Sequence, residues 1–144
     1  MSKQQKNREE IIIVDDEPQV LKSLKRELSL IFSDEIDEIH TVRTGPECLE
    51  LLETVAPEVS LVITDLRMPK MSGTQLLQEI SKKYPGIELI LLTAYTDIPA
   101  IQQAVSTSIH SLIFKPWDSA HLATEVQKAR QMYIQKKQTK QYQD

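Results

Sequence analysis

Four aliphatic runs in this 144-residue chain end on a group that can do chemistry. Ile11 to Val14 stops at the acids Asp15, Asp16 and Glu17, Val59 to Thr64 at Asp65, Ile87 to Leu92 at Thr93, and Ile109 to Phe114 at Lys115. A carboxylate at the end of a buried run is costly unless a cation or a hydrogen-bond donor meets it. Taken singly, each residue has an ordinary explanation. Asp15 or Asp16 can cap a helix that starts near Pro18, Asp65 can open an Asx-turn, Thr93 suits a strand, and Lys115 can be a solvated strand end. Four such residues at the ends of four similar runs call for a common cause.

Carboxylates that converge without a cation raise one another's pKa, and a metal ion relieves them. Oxygen donors with no cluster of His or Cys select Mg²⁺, which takes about six oxygens at about 2.1 Å and keeps several waters. The ligands expected are Asp16 and Asp65 directly, Asp15 directly or through water, and a backbone carbonyl of the loop after Asp65. Pro69 and Gly73 in "LRMPKMSG" shape the turn that such a carbonyl needs. His40, His110 and His121 fall on different elements, so packing or surface roles are expected for them.

The elements that must position these groups are legible in the hydrophobic pattern. The strand-length runs are Ile11 to Val14, Asp37 to Val42, Val59 to Thr64, Ile87 to Thr93 and Ile109 to Phe114. The first, third and fourth are almost continuous, as in strands covered on both faces. Helical spacing follows from Pro18 (Leu21, Leu24, Leu28), from a Thr44/Glu47 capping box, over Thr74 to Lys83, over Asp97 to Thr107, and from Ser119 to about Ile134. Trp117 reads as a packing anchor for that last helix. Strand then helix, five times over, gives a doubly wound α/β domain with a five-stranded parallel sheet. Ligands of such sheets bind at the carboxyl ends of the strands, where all four groups fall.

Composition narrows the function classes. A net charge of -4 argues against direct nucleic-acid binding, which needs clustered Lys and Arg. The single Cys48 cannot form an internal disulfide. No run approaches the roughly 18 apolar residues of a membrane span, and the first ten residues lack a signal-peptide core. A cytoplasmic protein with no membrane contact is expected.

The acidic pair in "IIIVDDEP", the acid in "VITDLRMPKMSG", the hydroxyl in "LLTAY" and the lysine in "FKPW" together resemble the receiver domain of two-component response regulators, from about Ile11 to Tyr133. The resemblance implies a flavodoxin-like (βα)5 fold with strand order 2-1-3-4-5. It implies a disordered tail over 1–9, a receiver over 10–134 and a helical extension or linker over 135–144, either a stand-alone receiver or a piece of a longer regulator. Asp65 would accept a phosphoryl group from a phosphohistidine on a histidine kinase or phosphotransfer protein, with Mg²⁺. Lys115 would pair with Asp65 and then with the phosphoryl group, Thr93 would donate its hydroxyl to it, and the small Ala94 would leave room. The Lys115-Pro116 bond would be cis. The output surface would lie on the fourth helix, fifth strand and fifth helix, and a homodimer would form there or through the last helix.

Three positions depart from the common pattern or vary within it. Leu112 stands where receivers usually carry an aromatic switch residue. Arg67 and Tyr95, two residues beyond Asp65 and Thr93, are bulky enough to obstruct attacking water. The rival reading is a Mg²⁺-dependent phosphohydrolase with an Asp nucleophile, but such enzymes place that acid at the end of the first strand with another two residues on. No turnover beyond self-catalysed transfer to Asp65 and its hydrolysis is expected. If the shielding idea holds, Arg67→Ala and Tyr95→Ala shorten the lifetime of phosphorylated protein several-fold in a phosphate-release assay; unchanged rates in both variants refute it.

Overall fold

The computed structural model describes residues 8–94, 98–106 and 108–143. Strands and helices alternate as β1 (Glu10–Val14), α1 (Pro18–Ile31), β2 (Glu38–Val42), α2 (Gly45–Val55), β3 (Val59–Thr64), α3 (Gly73–Lys83), β4 (Glu88–Ala94), α4 (Ile98–Val105), β5 (Ser111–Lys115) and α5 (Ser119–Gln143). A 3₁₀ turn, Ala56–Glu58, leads into β3. The sheet runs β2-β1-β3-β4-β5 with every pair parallel, the doubly wound, flavodoxin-like order expected from the sequence.

The continuous aliphatic runs are explained by helices on both faces. Ile11 and Ile13 of β1 join Leu61, Ile63, Ile90, Leu92 and Ile113 under α1 and α5, which contribute Leu24, Leu28, Leu122 and Val126. Ile12 and Val14 point the other way, into a second core with Val62, Leu89 and Leu91 under α2, α3 and α4. Burying one such side chain is worth about 1.5–3 kcal/mol, so strand register is strongly specified on both faces. Capping boxes start α2 (Thr44 with Glu47) and α3 (Ser72 with Gln75). The expected limits Asp97 and Thr107 of the fourth helix lie outside the described residues.

The two ends of the fold bear on the sequence reading. The last helix continues past Ile134 to Gln143. Its Gln and Lys residues are good helix formers, and Lys136 donates from Nζ to the Pro85 carbonyl at 3.4 Å and pairs with Glu88. At the other end, Arg8 and Glu9 belong to the fold rather than to a tail. The Glu9 carboxylate accepts two hydrogen bonds from buried Arg130, both 2.8 Å, and the Arg130 guanidinium lies 5.2 Å from the centroid of the Phe32 ring. Glu10 accepts from Arg8 Nε at 2.8 Å and lies 2.7 Å from His40 Nε2.

Removing one partner of a buried ion pair leaves the other charge uncompensated, at a cost of about 3–5 kcal/mol. Arg130→Ala is therefore expected to lower stability in urea unfolding by about 3 kcal/mol, and Glu9→Gln by less. Equal stability of Arg130→Ala and the parent would mean that the pair holds nothing.

Candidate functional site

Strand order reverses between β1 and β3, and their register places Val14 opposite Thr64. The next residues, Asp15 and Asp65, therefore leave the sheet side by side. Backbone bonds extend the ladder by one step: Asp65 N–H donates to the Val14 carbonyl at 3.0 Å, and Asp15 N–H to the Val42 carbonyl at 3.2 Å. Both acids are buried, Asp15 at 1% and Asp65 at 9% exposure. Asp15 is not a helix cap. Its Oδ1 accepts from the Glu17 N–H at 2.9 Å, while α1 begins after Glu17 with Pro18 in its first turn and no side-chain cap.

Lys115, at the end of edge strand β5, supplies the positive charge. Its Nζ donates to Asp15 Oδ2 and to Asp65 Oδ2, both at 2.9 Å, and reaches Glu17 Oε1 at 3.5 Å. Burial pulls the ammonium pKa down, but the bonds to Asp15 and Asp65 and their charges outweigh it and hold the group above the usual lysine value. For Asp15 the balance runs the other way. Burial raises its carboxyl pKa, the Asp65 charge adds to this, and the bonds from Lys115 and the Glu17 N–H only partly offset them.

The loop after Asp65 is shaped by a close backbone approach. Gly73 N–H donates to the Leu66 carbonyl at 2.7 Å, drawing the start of α3 against the acceptor loop. A Cβ at Gly73 would stand 2.1 Å from the Asp65 carbonyl oxygen and 2.8 Å from Leu66 Cα. Asp65 Oδ1 accepts from the Leu66 N–H at 2.6 Å, so its other carboxylate oxygen faces Lys115. Lys70 in this loop has φ 74, a left-handed conformation unusual for a residue other than glycine.

The other expected residues fall at the same sheet edge with mixed outcomes. Thr93 is buried near the end of β4, and Ala94 follows opposite Lys115. Pro116 follows Lys115 through a cis bond. Leu112 pairs with Leu91, but an aromatic does stand beside the hydroxyl: Phe114, two residues on and on the same strand face, pairs with Thr93. Tyr95 lies outside the described residues.

The acid grouping differs from the expected one. Among the described residues, carboxylate atoms of Asp15, Glu17 and Asp65 lie within 4.8 Å of one another, and Asp16 is not in that group. The chain leaves β1 at Val14 and bends at Asp16, and the Glu17 N–H turns back onto Asp15. The Asp16 carbonyl instead accepts from Arg43 Nη2 at 3.1 Å. Sequence reasoning named Glu17 but gave it no role, because the bend at Asp16 that returns Glu17 to the cluster has no signal in the residue pattern. Three carboxylates facing one ammonium form an all-oxygen donor set with excess negative charge, which suits a hard divalent cation.

His110 lies 3.7 Å from both Glu88 and Glu125, far from the acids, and His40 pairs with Glu10. Cys48 is buried and its thiol pKa is pushed up to about 12 by burial, so it is unreactive. Among the described residues, no helix is long and apolar enough to cross a membrane.

An acidic crevice at the switch point of a doubly wound sheet, closed by a lysine from the edge strand, defines a class of site. Comparison with known proteins identifies its family. The model of the response regulator receiver domain matches residues 11–127. The chain is 39% identical over 108 residues to the transcriptional regulatory protein GlrR of Escherichia coli (strain K12), covering 75% of this chain and 23% of that protein. It is 34% identical over 128 residues to the regulatory protein AtoC of the same strain, covering 89% and 26% respectively. The crystal structure of the signal receiver domain of an HD domain-containing protein from Pseudomonas fluorescens Pf-5 aligns with a TM-score of 0.81 at 32% identity, covering 89% of this chain and 98% of that one. The chain belongs to the response regulator receiver domain family, a family of two-component signalling proteins. It spans about a quarter of the length of these curated relatives.

The backbone contact at Gly73 gives a direct test of how the acceptor loop is held. Gly73→Ala forces that contact apart and is expected to cost about 1–3 kcal/mol, as overpacking does. A thermal melt unchanged from the parent would show that α3 can retreat from Asp65 freely.

Proposed function

We propose that this receiver takes a phosphoryl group from a phosphohistidine of a histidine kinase or phosphotransfer protein onto Asp65. The observation that carries this reading is the placement of Asp65 at the switch point, with one oxygen fixed by the Leu66 N–H and the other held 2.9 Å from Lys115 Nζ. In the transfer, the P–N bond to the donor imidazole breaks as a P–O bond to Asp65 forms, and the leaving imidazole keeps the electron pair and takes a proton. The loose transition state asks chiefly for alignment and charge neutralisation, both within reach of this arrangement.

Mg²⁺ would be held by the carboxylates of Asp15, Asp16 and Asp65 with the backbone carbonyl of Arg67, and it supplies charge neutralisation for the phosphoryl oxygens when bound. Asp16 turns inward in this reading, and Glu17 stays at the rim as a partner of Lys115. Lys115 exchanges its Asp65 contact for a phosphoryl oxygen while keeping Asp15. The Thr93 hydroxyl donates to the phosphoryl group over the small Ala94, and that movement shifts the end of β4 against Phe114 of β5. The surface of α4, β5 and α5 passes the change to an output. Membership in a signalling family removes the main support for the phosphohydrolase reading.

Incubation with acetyl phosphate and Mg²⁺ followed by intact-protein mass measurement tests the proposal. One phosphoryl group is expected on the parent, labile to hydroxylamine, with none on Asp65→Ala and little without Mg²⁺. Equal labelling of Asp65→Ala would move the acceptor elsewhere.

A further inference from the structure

The lysine that meets Asp15 and Asp65 comes from an edge strand. β5 is hydrogen-bonded only to β4, so one side of its end is open, and Lys115 Nζ must reach past β4 to acids that follow β3 and β1. The strand end is followed by a short loop, Pro116 to Asp118, before α5 begins at Ser119. The middle of this loop and the first residue of α5 are held by one carboxylate on α1. Trp117 Nε1 donates to Glu27 Oε1 at 3.2 Å and Oε2 at 3.1 Å, and Ser119 Oγ donates to Glu27 Oε1 at 2.9 Å. The Trp117 ring also packs on the core beneath α1 and α5.

Glu27 lies on the helix that follows the acids and 90 positions before Trp117, and it ties that helix to the loop after Lys115. α1 starts immediately after Asp15, Asp16 and Glu17, and the loop it holds starts immediately after Lys115. We propose that Glu27 is a positioning residue for phosphoryl transfer: through Trp117 and Ser119 it fixes the end of β5 against α1 and thereby sets where Lys115 Nζ stands relative to Asp15 and Asp65. Side chain–side chain bonds are the minority class in folded proteins, so two donors on one carboxylate, the indole N–H bifurcated over both oxygens, concentrate the restraint at this residue. Glu27 touches neither substrate nor acceptor. Its effect lies in alignment, where displacements on the order of 1 Å cost large factors in rate. This inference rests on the reading of Asp65 as acceptor.

The test is the time course of labelling by acetyl phosphate and Mg²⁺ in the full chain, followed by intact mass, for the parent, Glu27→Ala, Glu27→Gln and Trp117→Phe. Glu27→Ala and Trp117→Phe are each expected to lower the maximal labelling rate about tenfold, with half-saturating acetyl phosphate changed less than about twofold. Glu27→Gln keeps an oxygen acceptor for the indole N–H and retains the parent rate within about twofold. The double variant Glu27→Ala/Trp117→Phe is expected to be no slower than either single one, the signature of one shared contact. In Glu27→Ala, Trp117 fluorescence shifts to longer wavelength as the ring is released to water. A parent that labels normally alongside a Glu27→Ala variant of equal maximal rate overturns the inference and leaves Asp65 as acceptor. Additive losses in the double variant, or a Glu27→Gln variant as slow as Glu27→Ala, overturn it too. Absence of labelling in the parent removes the acceptor reading, and this inference with it.

Discussion

Lys115 Nζ stands 2.9 Å from a carboxylate oxygen of Asp15 and 2.9 Å from one of Asp65, and the site is built around that double contact. Without it, two adjacent buried acids would face each other in a medium that screens charge poorly, with no cation between them. The raised pKa of Asp15 and the raised pKa of Lys115 are two faces of the same crowding: burial strains the acid, and the acids secure the lysine. One cation against three carboxylates leaves negative charge over, and that excess gives a divalent metal its place.

Holding such a cluster together takes a rigid frame, and the frame is hydrophobic. β1, β3 and β4, which deliver the acids and Thr93, are buried on both faces between α1 with α5 and α2 with α3 and α4, whereas β5 buries only Ile113 fully. The reversal of strand order then brings the ends of β1 and β3 together without a loop from either crossing the crevice. Edge strand β5 has less support from the sheet, and α1 makes up the difference through Glu27. Burial so sets the position of the acids, while a surface hydrogen-bond network sets that of the lysine.

Much of this was legible in the residues. The near-continuous runs gave both faces of the sheet, the Thr44/Glu47 box gave the start of α2, and strand-terminal acids with Lys115 gave the crevice. Hydrophobic pattern is decisive where burial decides structure. It was silent where long-range polar contacts decide: Glu9 looked like tail because its partner, Arg130, lies 121 positions away. The last helix outran its apolar stripe because helix propensity, rather than burial, carries it to Gln143. Asp16 was expected as a direct ligand beside Asp65, but the carboxylates that converge are those of Asp15, Glu17 and Asp65, set by a bend at Asp16 that hydrophobic pattern does not reveal. Trp117 read as a packing anchor, and nothing local indicates that its N–H meets Glu27, 90 positions before it.

The measurement that tests the central claim most directly is urea unfolding of Lys115→Met beside the parent, each with and without saturating Mg²⁺. If Lys115 neutralises Asp15 and Asp65, the variant without metal loses about 3 kcal/mol, since the uncompensated acids remain buried. Mg²⁺ binds the folded state and then restores stability more in the variant than in the parent. A metal-free variant as stable as the parent, with the same gain from Mg²⁺ in both, would contradict the account: the acids would not depend on the lysine.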